Sequence, residues 1–200
     1  MDRATRFWCL TASLIPDVDG LSLLGGVECY RTWHHILAHN LLFCGVVVGA
    51  SARWIGLRAR PLALVGLAFL SHLIGDYFGS GPGWSIHPYL PFNSTEYLCP
   101  FAWELASWQN FVITLVAGAV AIEIAVRCGR TPLEFIHGGL DRAVVDTLRL
   151  RRWPRTCAQC ASRARATCGG CGQPVCADHI KGWRAVAARC ANCLTEPHGI

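Results

Sequence analysis

Three observations predict that this 200-residue chain is an all-α integral membrane protein, a bundle of about four helices with a small C-terminal zinc-binding domain. Hydrophobic residues make up 52% of the chain and charged residues only 16%, whereas soluble domains average about 25% charged residues. Long apolar segments recur through residues 1–130. Seven of the 12 cysteines lie in closely spaced groups between residues 157 and 193, a pattern typical of zinc ligation in a reducing compartment.

The composition divides the chain into three parts. Residues 1–130 are expected to form a membrane-embedded domain, residues 131–155 an amphipathic basic linker and residues 156–195 a double zinc finger. Basic residues favour cytoplasmic loops, and their distribution predicts that both termini and the zinc finger are cytoplasmic, with residues 79–107 outside. The protein is therefore expected in the cell inner or plasma membrane.

The first apolar segment, residues 1–15, carries Arg3 and Arg6 but no small-residue cleavage site, so it is interpreted as a retained helix. It ends at a Pro-Asp-Val-Asp-Gly turn that presents Asp17 and Asp19. These two carboxylates are candidate metal ligands. An Asp-rich turn that only caps the helix would give the same sequence.

Three histidines, His34, His35 and His39, precede the apolar helix predicted from Leu41 to Trp54. Because ionisable groups that face lipid are costly, imidazoles at the mouth of a membrane helix indicate an interior site. His35 and His39 are one helical turn apart, whereas His34 would point elsewhere unless the helix begins after it. The alternative is that these histidines lie in the headgroup layer.

The third apolar segment, from Pro61 to about Phe78, contains His72 and Asp76 near its end. Four residues apart on a helix, the imidazole and the carboxylate project from successive turns and can bind the same divalent metal. The alternative is a His and an Asp that simply pair at the end of a helix.

The fourth apolar helix, predicted from Trp108 to Val126, is long enough to span a bilayer. Glu123 lies one turn before Arg127 and is predicted to pair with it. In the topology given above, the candidate ligands all fall at the outer ends of the first three helices. This convergence at one membrane level supports a composite site at the outer face.

The linker alternates apolar and charged residues from Thr131 to Leu150, and Thr131 with Pro132 is predicted to start an amphipathic helix on the inner membrane surface. The basic run from Arg149 to Arg155 would favour anionic headgroups. A simple positive stop signal after the last membrane helix is the alternative.

Four motifs in the first half of the chain occur in the order found in a known membrane family: Pro16-Asp17-x-Asp19, His34-His35-x-x-x-His39, His72-x-x-x-Asp76, and a Gly-rich turn ending in Leu90-Pro91-Phe92. Together they resemble the YdjM-type family of inner-membrane, metal-dependent hydrolases. That family is grouped with the all-helical zinc phospholipase C and single-strand nuclease superfamily. The resemblance implies phosphoester hydrolysis at a zinc site made of two aspartates and two histidines.

Carried over to this chain, the resemblance implies one metal centre with four ligands: Asp17 or Asp19, His34 or His39, His72, and Asp76. The chain departs from the family pattern at His35, Ala38 and Asn40, where the family has Arg after the first His and Thr-His-Ser around the second. His35 is kept as a further candidate ligand. Because no second H-x-x-x-D motif occurs here, one zinc ion, or at most two, is expected at this membrane site.

Four ligand pairs follow the linker: Cys157-x-x-Cys160, Cys168-x-x-Cys171, Cys176-x-x-His179, and Cys190-x-x-Cys193. Eight such ligands fill two tetrahedral zinc sites completely, as in structural sites. The pattern resembles the B-box and related cross-braced fingers, in which the first pair joins the third and the second joins the fourth. Spacing alone leaves sequential pairing open.

We expect the finger to contact a protein partner, because a filled zinc site has no open position for chemistry. Its basic residues Lys181, Arg184 and Arg189 are too few to indicate nucleic-acid binding.

The leading functional hypothesis is a zinc-dependent hydrolase that cleaves a phosphoester of a lipid or another membrane-associated substrate at the outer face. A metal-activated water would be the nucleophile, with one of the aspartates as a candidate base. The catalytic set would be Asp17, Asp19, His34, His39, His72 and Asp76. The alternative is a non-enzymatic membrane adaptor or sensor, with a structural metal site and a finger that recruits a partner. Transport fits less well, because the candidate residues cluster at one end of the helices.

Overall fold

The computed structural model describes residues 1–184 and 186–194, and the chain divides into two compact units, Met1–Val112 and Ile113–Ile200. The fold is mostly helical, as predicted. Three helical stretches are long and apolar enough to cross a membrane: Arg3–Gly25, Ala59–Gly79 and Trp108–Cys128. These findings agree with an integral membrane protein.

Helix α1 (Arg3–Leu14) begins at Asp2, whose carboxylate accepts a hydrogen bond from the backbone N–H of Thr5 at 2.7 Å. The chain then continues as a 3-10 helix over Ile15–Gly25, where the sequence predicted only a turn. Pro16 explains the change, because proline lacks the N–H that an α-helix would use at this position. The two helices together supply the first apolar stretch.

A short helix, α2 (Val27–Trp33), follows and was not predicted. The chain leaves it at His34 and enters α3 (Leu41–Ile55) only after Asn40, whose side chain caps the new helix by accepting from the N–H of Phe43. The three histidines therefore lie on a connecting segment instead of a shared helix face.

Helix α4 (Ala59–Gly79) is the centre of the first unit and packs against both α1 and α3. Its side chains Val65 and Phe69 are fully buried and meet Ala12 of α1 and Val47 of α3. A large aromatic side chain buried in this way contributes about 3–5 kcal/mol relative to alanine. This packing determines the position of the last turn of α4 relative to α1 and α3.

The loop over residues 80–107 folds back on the end of α4. Its two arms are joined by a backbone bridge between Ile86 and Tyr97. The backbone N–H of Trp103 donates to the carbonyl oxygen of Phe78. The side-chain amide of Asn110 donates to the carbonyl oxygen of Gly79. These bonds satisfy carbonyl groups that the end of a helix leaves without partners.

Helix α5 (Trp108–Cys128) exposes large apolar side chains along most of its length, as expected of a lipid-facing helix. The predicted pair near its end is present, since the Nε of Arg127 donates to Glu123 at 2.6 Å.

The linker helix starts later than predicted. Thr131 caps a 3-10 turn, Pro132–Phe135, and the true helix, α6 (Gly138–Arg152), begins after His137. Asp141 of α6 accepts from both the backbone N–H and the hydroxyl of Thr131, at 2.6 and 2.7 Å. The turn and the helix are therefore tied together.

The finger contains two small antiparallel hairpins. One pairs β1 (Ala166–Thr167) with β2 (Pro174–Val175), and the other pairs β3 (Gly182–Arg184) with β4 (Ala187–Arg189). A single turn of helix, α7 (Ala191–Leu194), follows. Strands β1 and β4 pack on α6.

Candidate metal centre

Four polar side chains of the first unit converge on one point: Asp17 from the 3-10 helix, His39 from the segment before α3, and His72 and Asp76 from α4. The Nε2 atoms of His39 and His72 lie 3.3 Å apart. Asp76 Oδ2 is 3.2 Å from the first of these nitrogens and 3.0 Å from the second. Asp17 Oδ1 lies 3.8 Å from His39 Nε2 and 3.5 Å from His72 Nε2.

Five of the six separations among these four donors suit tetrahedral coordination of one metal ion. Four donor atoms held about 2.0–2.1 Å from one zinc ion in a tetrahedron are about 3.3 Å from one another. The five donor–donor distances above lie between 3.0 and 3.8 Å.

Hydrogen bonds on the far side of each imidazole determine which nitrogen faces the cluster as an electron-pair donor. His72 Nδ1 lies 2.8 Å from the carbonyl oxygen of Ser13, which can only accept, so Nδ1 carries the proton. His39 Nδ1 lies 2.8 Å from a carboxylate oxygen of Asp19 and donates to it. Both Nε2 atoms therefore face Asp76 Oδ2, and each turns a lone pair toward it when its imidazole is neutral. Such a set of donors could hold a metal ion.

Asp17 and Asp19 differ in what they contact. Asp19 is buried and accepts from His39, from His34 Nδ1 at 2.7 Å and from the N–H of Ala38 at 3.2 Å. It therefore lies behind His39 and orients that ring, an arrangement common around protein-bound metals. Asp17 instead faces the cluster and has a side chain that is 58% exposed.

His34 and His35 occupy different positions beside the four donors. His34 bonds to Asp19 and stacks on Tyr30, with ring centroids 4.5 Å apart. His35 is buried with a φ of 69°, a conformation that is uncommon for residues other than glycine. Its Nδ1 has no partner among the described residues, and it can offer a ligand atom close to those of His39 and Asp76.

The two buried imidazoles outside the membrane helices have opposite pKa shifts. Burial disfavours the charged form of His39, but hydrogen bonds to the carboxylates of Asp19 and Asp76 outweigh this and raise its pKa to about 9. Burial and the neighbouring His39 lower the pKa of His35 to about 4. Without a metal, the proton on His39 balances the surrounding carboxylates.

A cavity of about 600 Å³ reaches the cluster. Asp17, His35 and Asp76 line it on the side of the cluster, and the opposite wall includes Tyr30, Trp84 and Glu104. Of these wall residues, Trp84 has a ring centroid that lies 5.4 Å from that of His35. No spacing pattern in the sequence connects Tyr30 or Glu104 with the histidines.

Comparison with known proteins identifies the first part of the chain. The family model described as YdjM inner membrane protein matches residues 3–138 of the 200, more than half of the chain. The chain belongs to the YdjM inner membrane protein family. No curated protein and no solved structure matched it significantly. The matched range contains all four converging donors and ends before the cysteine pairs.

The C-terminal part of this YdjM family member holds two further ligand clusters. One contains Cys157, Cys160, Cys176 and His179, and the other contains Cys168, Cys171, Cys190 and Cys193. The first ligand pair thus meets the third, and the second meets the fourth, which is the cross-braced order.

Distances within these two clusters suit metal ligation and not disulfides. Sγ atoms lie 3.6 Å apart for Cys168 and Cys190 and 3.7 Å apart for Cys160 and Cys176. A disulfide would bring them to about 2.05 Å, whereas tetrahedral Zn–S bonds of about 2.3 Å separate sulfurs by about 3.8 Å. Burial opposes ionisation of Cys157, but backbone N–H donors, including that of Gln159, lower its pKa to about 6. The thiolate form, which binds metal, is thereby favoured.

Proposed function

We propose that this YdjM family protein is a membrane-bound, zinc-dependent hydrolase that cleaves a phosphoester bond in a lipid or another membrane-associated substrate. The observation that carries the proposal is the convergence of two carboxylate and two imidazole donors at the edge of an open cavity. Nitrogen and oxygen donors at these distances suit zinc.

The cavity favours hydrolysis over a purely structural metal site. Structural zinc sites are closed, whereas a catalytic site must admit water and substrate. Asp17 is more than half exposed and lines a cavity of about 600 Å³, within the range of small-molecule sites. Asp76 lies on the last turn of α4, so a substrate at the membrane surface could reach the centre. The bias of basic residues supports the outer face as that surface.

The residues of the chain have distinct roles in this proposal. Bound zinc would lower the pKa of a water ligand and polarise a phosphoryl oxygen. Asp17, His39, His72 and Asp76 would hold the ion.

Residues behind and beside these ligands orient the centre and contact the substrate. The carboxylate of Asp19 and the carbonyl oxygen of Ser13 keep the two Nε2 atoms directed inward. His35 lines the cavity, its Nδ1 has no partner in the described part of the chain, and it would hydrogen-bond the substrate.

The cysteine clusters would have a separate role. Each has four protein ligands, so we propose two structural zinc ions in a finger that is cytoplasmic and contacts a protein partner. Among its described residues the finger has few buried apolar side chains, chiefly Val175 beside Cys168 and Cys190, and it would fold only with metal.

The test uses the full chain reconstituted in lipid vesicles, with phospholipids and bis(p-nitrophenyl) phosphate as substrates. His72→Ala and Asp76→Asn should each abolish hydrolysis and remove the metal of the membrane domain, leaving insertion and the finger zinc unchanged. Glu123→Gln is the matched control, because this carboxylate pairs with Arg127 on α5 and should be dispensable. Hydrolysis that survives in both ligand variants would contradict the proposal. Wild-type protein with its membrane-site metal but no phosphoesterase activity would favour the adaptor alternative.

A further inference from the structure

A second cavity, of about 390 Å³, lies within the C-terminal unit between the end of α5, the last turns of α6 and the start of the finger. Three arginines line it: Arg127, Arg149 and Arg155. Asp146 is the carboxylate found among its described lining residues, so arginines outnumber carboxylates by three to one. Trp153 lies at the same cavity and is 52% exposed.

The cavity is held against the end of a membrane helix. Arg149 Nε donates to the carbonyl oxygen of Val126 at 2.9 Å, one of the last four carbonyls of α5 that the helix itself leaves without partners. Gly129 allows the Arg149 side chain to come this close to the end of α5. Its φ is 70°, and a Cβ atom at this position would lie 2.8 Å from the guanidinium of Arg149. Because α5 is long and apolar enough to cross a membrane, its end and the adjoining cavity would lie at the bilayer boundary.

The positive charge at this cavity is only partly balanced by the protein. Arg127 pairs with Glu123 on the surface of α5. Among the described residues the guanidinium of Arg155 forms no hydrogen bond or ion pair, and its charge interacts at longer range with Asp146. A guanidinium group matches the geometry of a phosphate and binds it with paired hydrogen bonds.

We propose that this cavity binds the phosphate group of an anionic membrane phospholipid. Basic pockets beside membrane helices recognise such headgroups, and an exposed tryptophan suits the membrane interface. The position at the end of α5 favours a lipid over a nucleic acid or an acidic protein. The inference does not depend on hydrolysis at the metal centre.

The test measures which lipid the full chain retains. The protein is reconstituted in nanodiscs of equimolar phosphatidylcholine and phosphatidylglycerol, released into mild detergent and analysed by native mass spectrometry. Wild type should retain phosphatidylglycerol in preference to phosphatidylcholine. Arg155→Gln should lower that retention about fivefold, the effect expected for one basic residue at an anionic membrane surface.

Arg151→Gln is the matched control, because this exposed arginine belongs to the same basic run but does not line the cavity. It should retain phosphatidylglycerol as wild type does, and both variants should keep their finger zinc. If both variants lost phosphatidylglycerol retention equally, the lipid would be held by a diffuse electrostatic attraction to the basic run instead of a defined site. That result would overturn the proposal. Displacement of the lipid by inorganic phosphate or by a single-stranded oligonucleotide would overturn it as well, since the ligand would then be a soluble anion or a nucleic acid.

Discussion

The Nε2 atoms of His39 and His72 lie 3.3 Å apart although their residues belong to different elements of the fold. Each ring is held from behind, His39 by Asp19 and His72 by the carbonyl oxygen of Ser13. Because these bonds occupy Nδ1 of each ring, both Nε2 atoms face Asp76, and in the metal-free protein at neutral pH His39 is protonated on both ring nitrogens. A bound cation would take the place of this proton, and a metal that binds only the folded protein would stabilise the first unit.

Zinc binding at this centre should weaken as the pH falls from 9 toward 7. The pKa of His39 in the metal-free protein is about 9, so at neutral pH this imidazole carries a proton that the metal must displace. Binding at pH 7 should therefore release about one proton, and affinity should rise with pH until it levels off near pH 9. Calorimetric titration of zinc into the full chain, with the finger already saturated, measures both quantities.

Asp19→Asn serves as the comparison for this titration, since removing one carboxylate partner should lower the pKa of His39 and shift the pH dependence toward lower values. An affinity for zinc that is constant between pH 7 and pH 9 in the wild type would contradict the assignment of His39 as a ligand.

His35 should contribute to hydrolysis without contributing to metal retention. His35→Asn and His35→Gly both tolerate the φ of 69°, so the connecting segment should keep its conformation. The four converging donors remain in both variants, and metal content should be unchanged. Loss of one hydrogen bond to a charged substrate group should lower kcat/KM about 10–100-fold.

The choice of these two variants separates a chemical role of His35 from a conformational one. Asn and Gly differ in hydrogen bonding but share access to positive φ. Wild-type kcat/KM in both would show that the imidazole is not needed, whereas metal loss in both would make His35 a ligand.

The apolar helices were predictable from the sequence because each is a long, predominantly apolar run. The predicted Leu41 to Trp54 helix is observed as Leu41–Ile55, and the predicted Trp108 to Val126 helix as Trp108–Cys128. The i, i+4 spacing of His72 and Asp76 likewise predicted that they face one way, and they do. Periodicity conveys this information without knowledge of tertiary contacts.

Other features of the site could not be read from the sequence. The 3-10 helix that contains Pro16 makes Asp17 and Asp19 point in different directions. The turn predicted from the sequence could not distinguish the two carboxylates. The Ser13 carbonyl is a backbone atom and has no sequence signature, and the positive φ of His35 depends on packing around it. The linker helix began at Gly138 because His137 caps it, which a pattern of alternating residues does not reveal.

The finger should be separable from the membrane domain. Cys168→Ser should remove metal from the second cysteine cluster and unfold the tail, because the segment has little apolar core to replace it. Insertion and membrane-site metal should persist. Cys128→Ser is the matched control, since this exposed cysteine belongs to neither cluster and its loss should leave zinc content unchanged.

Limited proteolysis of the tail and zinc analysis of the purified full chain measure these effects. Loss of insertion in Cys168→Ser would show that the two parts fold together. Loss of zinc in Cys128→Ser would mean that the cluster assignment is wrong.

Asp17→Asn and Asp19→Asn should have different consequences, although both replace a carboxylate by an amide within the same short helix. Asp17 faces the converging donors, so its replacement should remove the metal of the membrane domain and abolish hydrolysis. Asn at position 19 can keep its amide oxygen toward His39 and the N–H of Ala38 while its NH₂ group faces His34. His39 would retain the same tautomer, and metal affinity should fall only about 10–100-fold.

Metal content and zinc affinity of the two purified variants, with insertion verified for both, decide the assignment. Because the finger zinc is common to both proteins, any difference in stoichiometry belongs to the membrane site. If Asp19→Asn loses the metal completely while Asp17→Asn retains it, the two carboxylates have exchanged roles. The cluster would then have to be rebuilt around Asp19, His34 and His39, whose ligand atoms also lie close together.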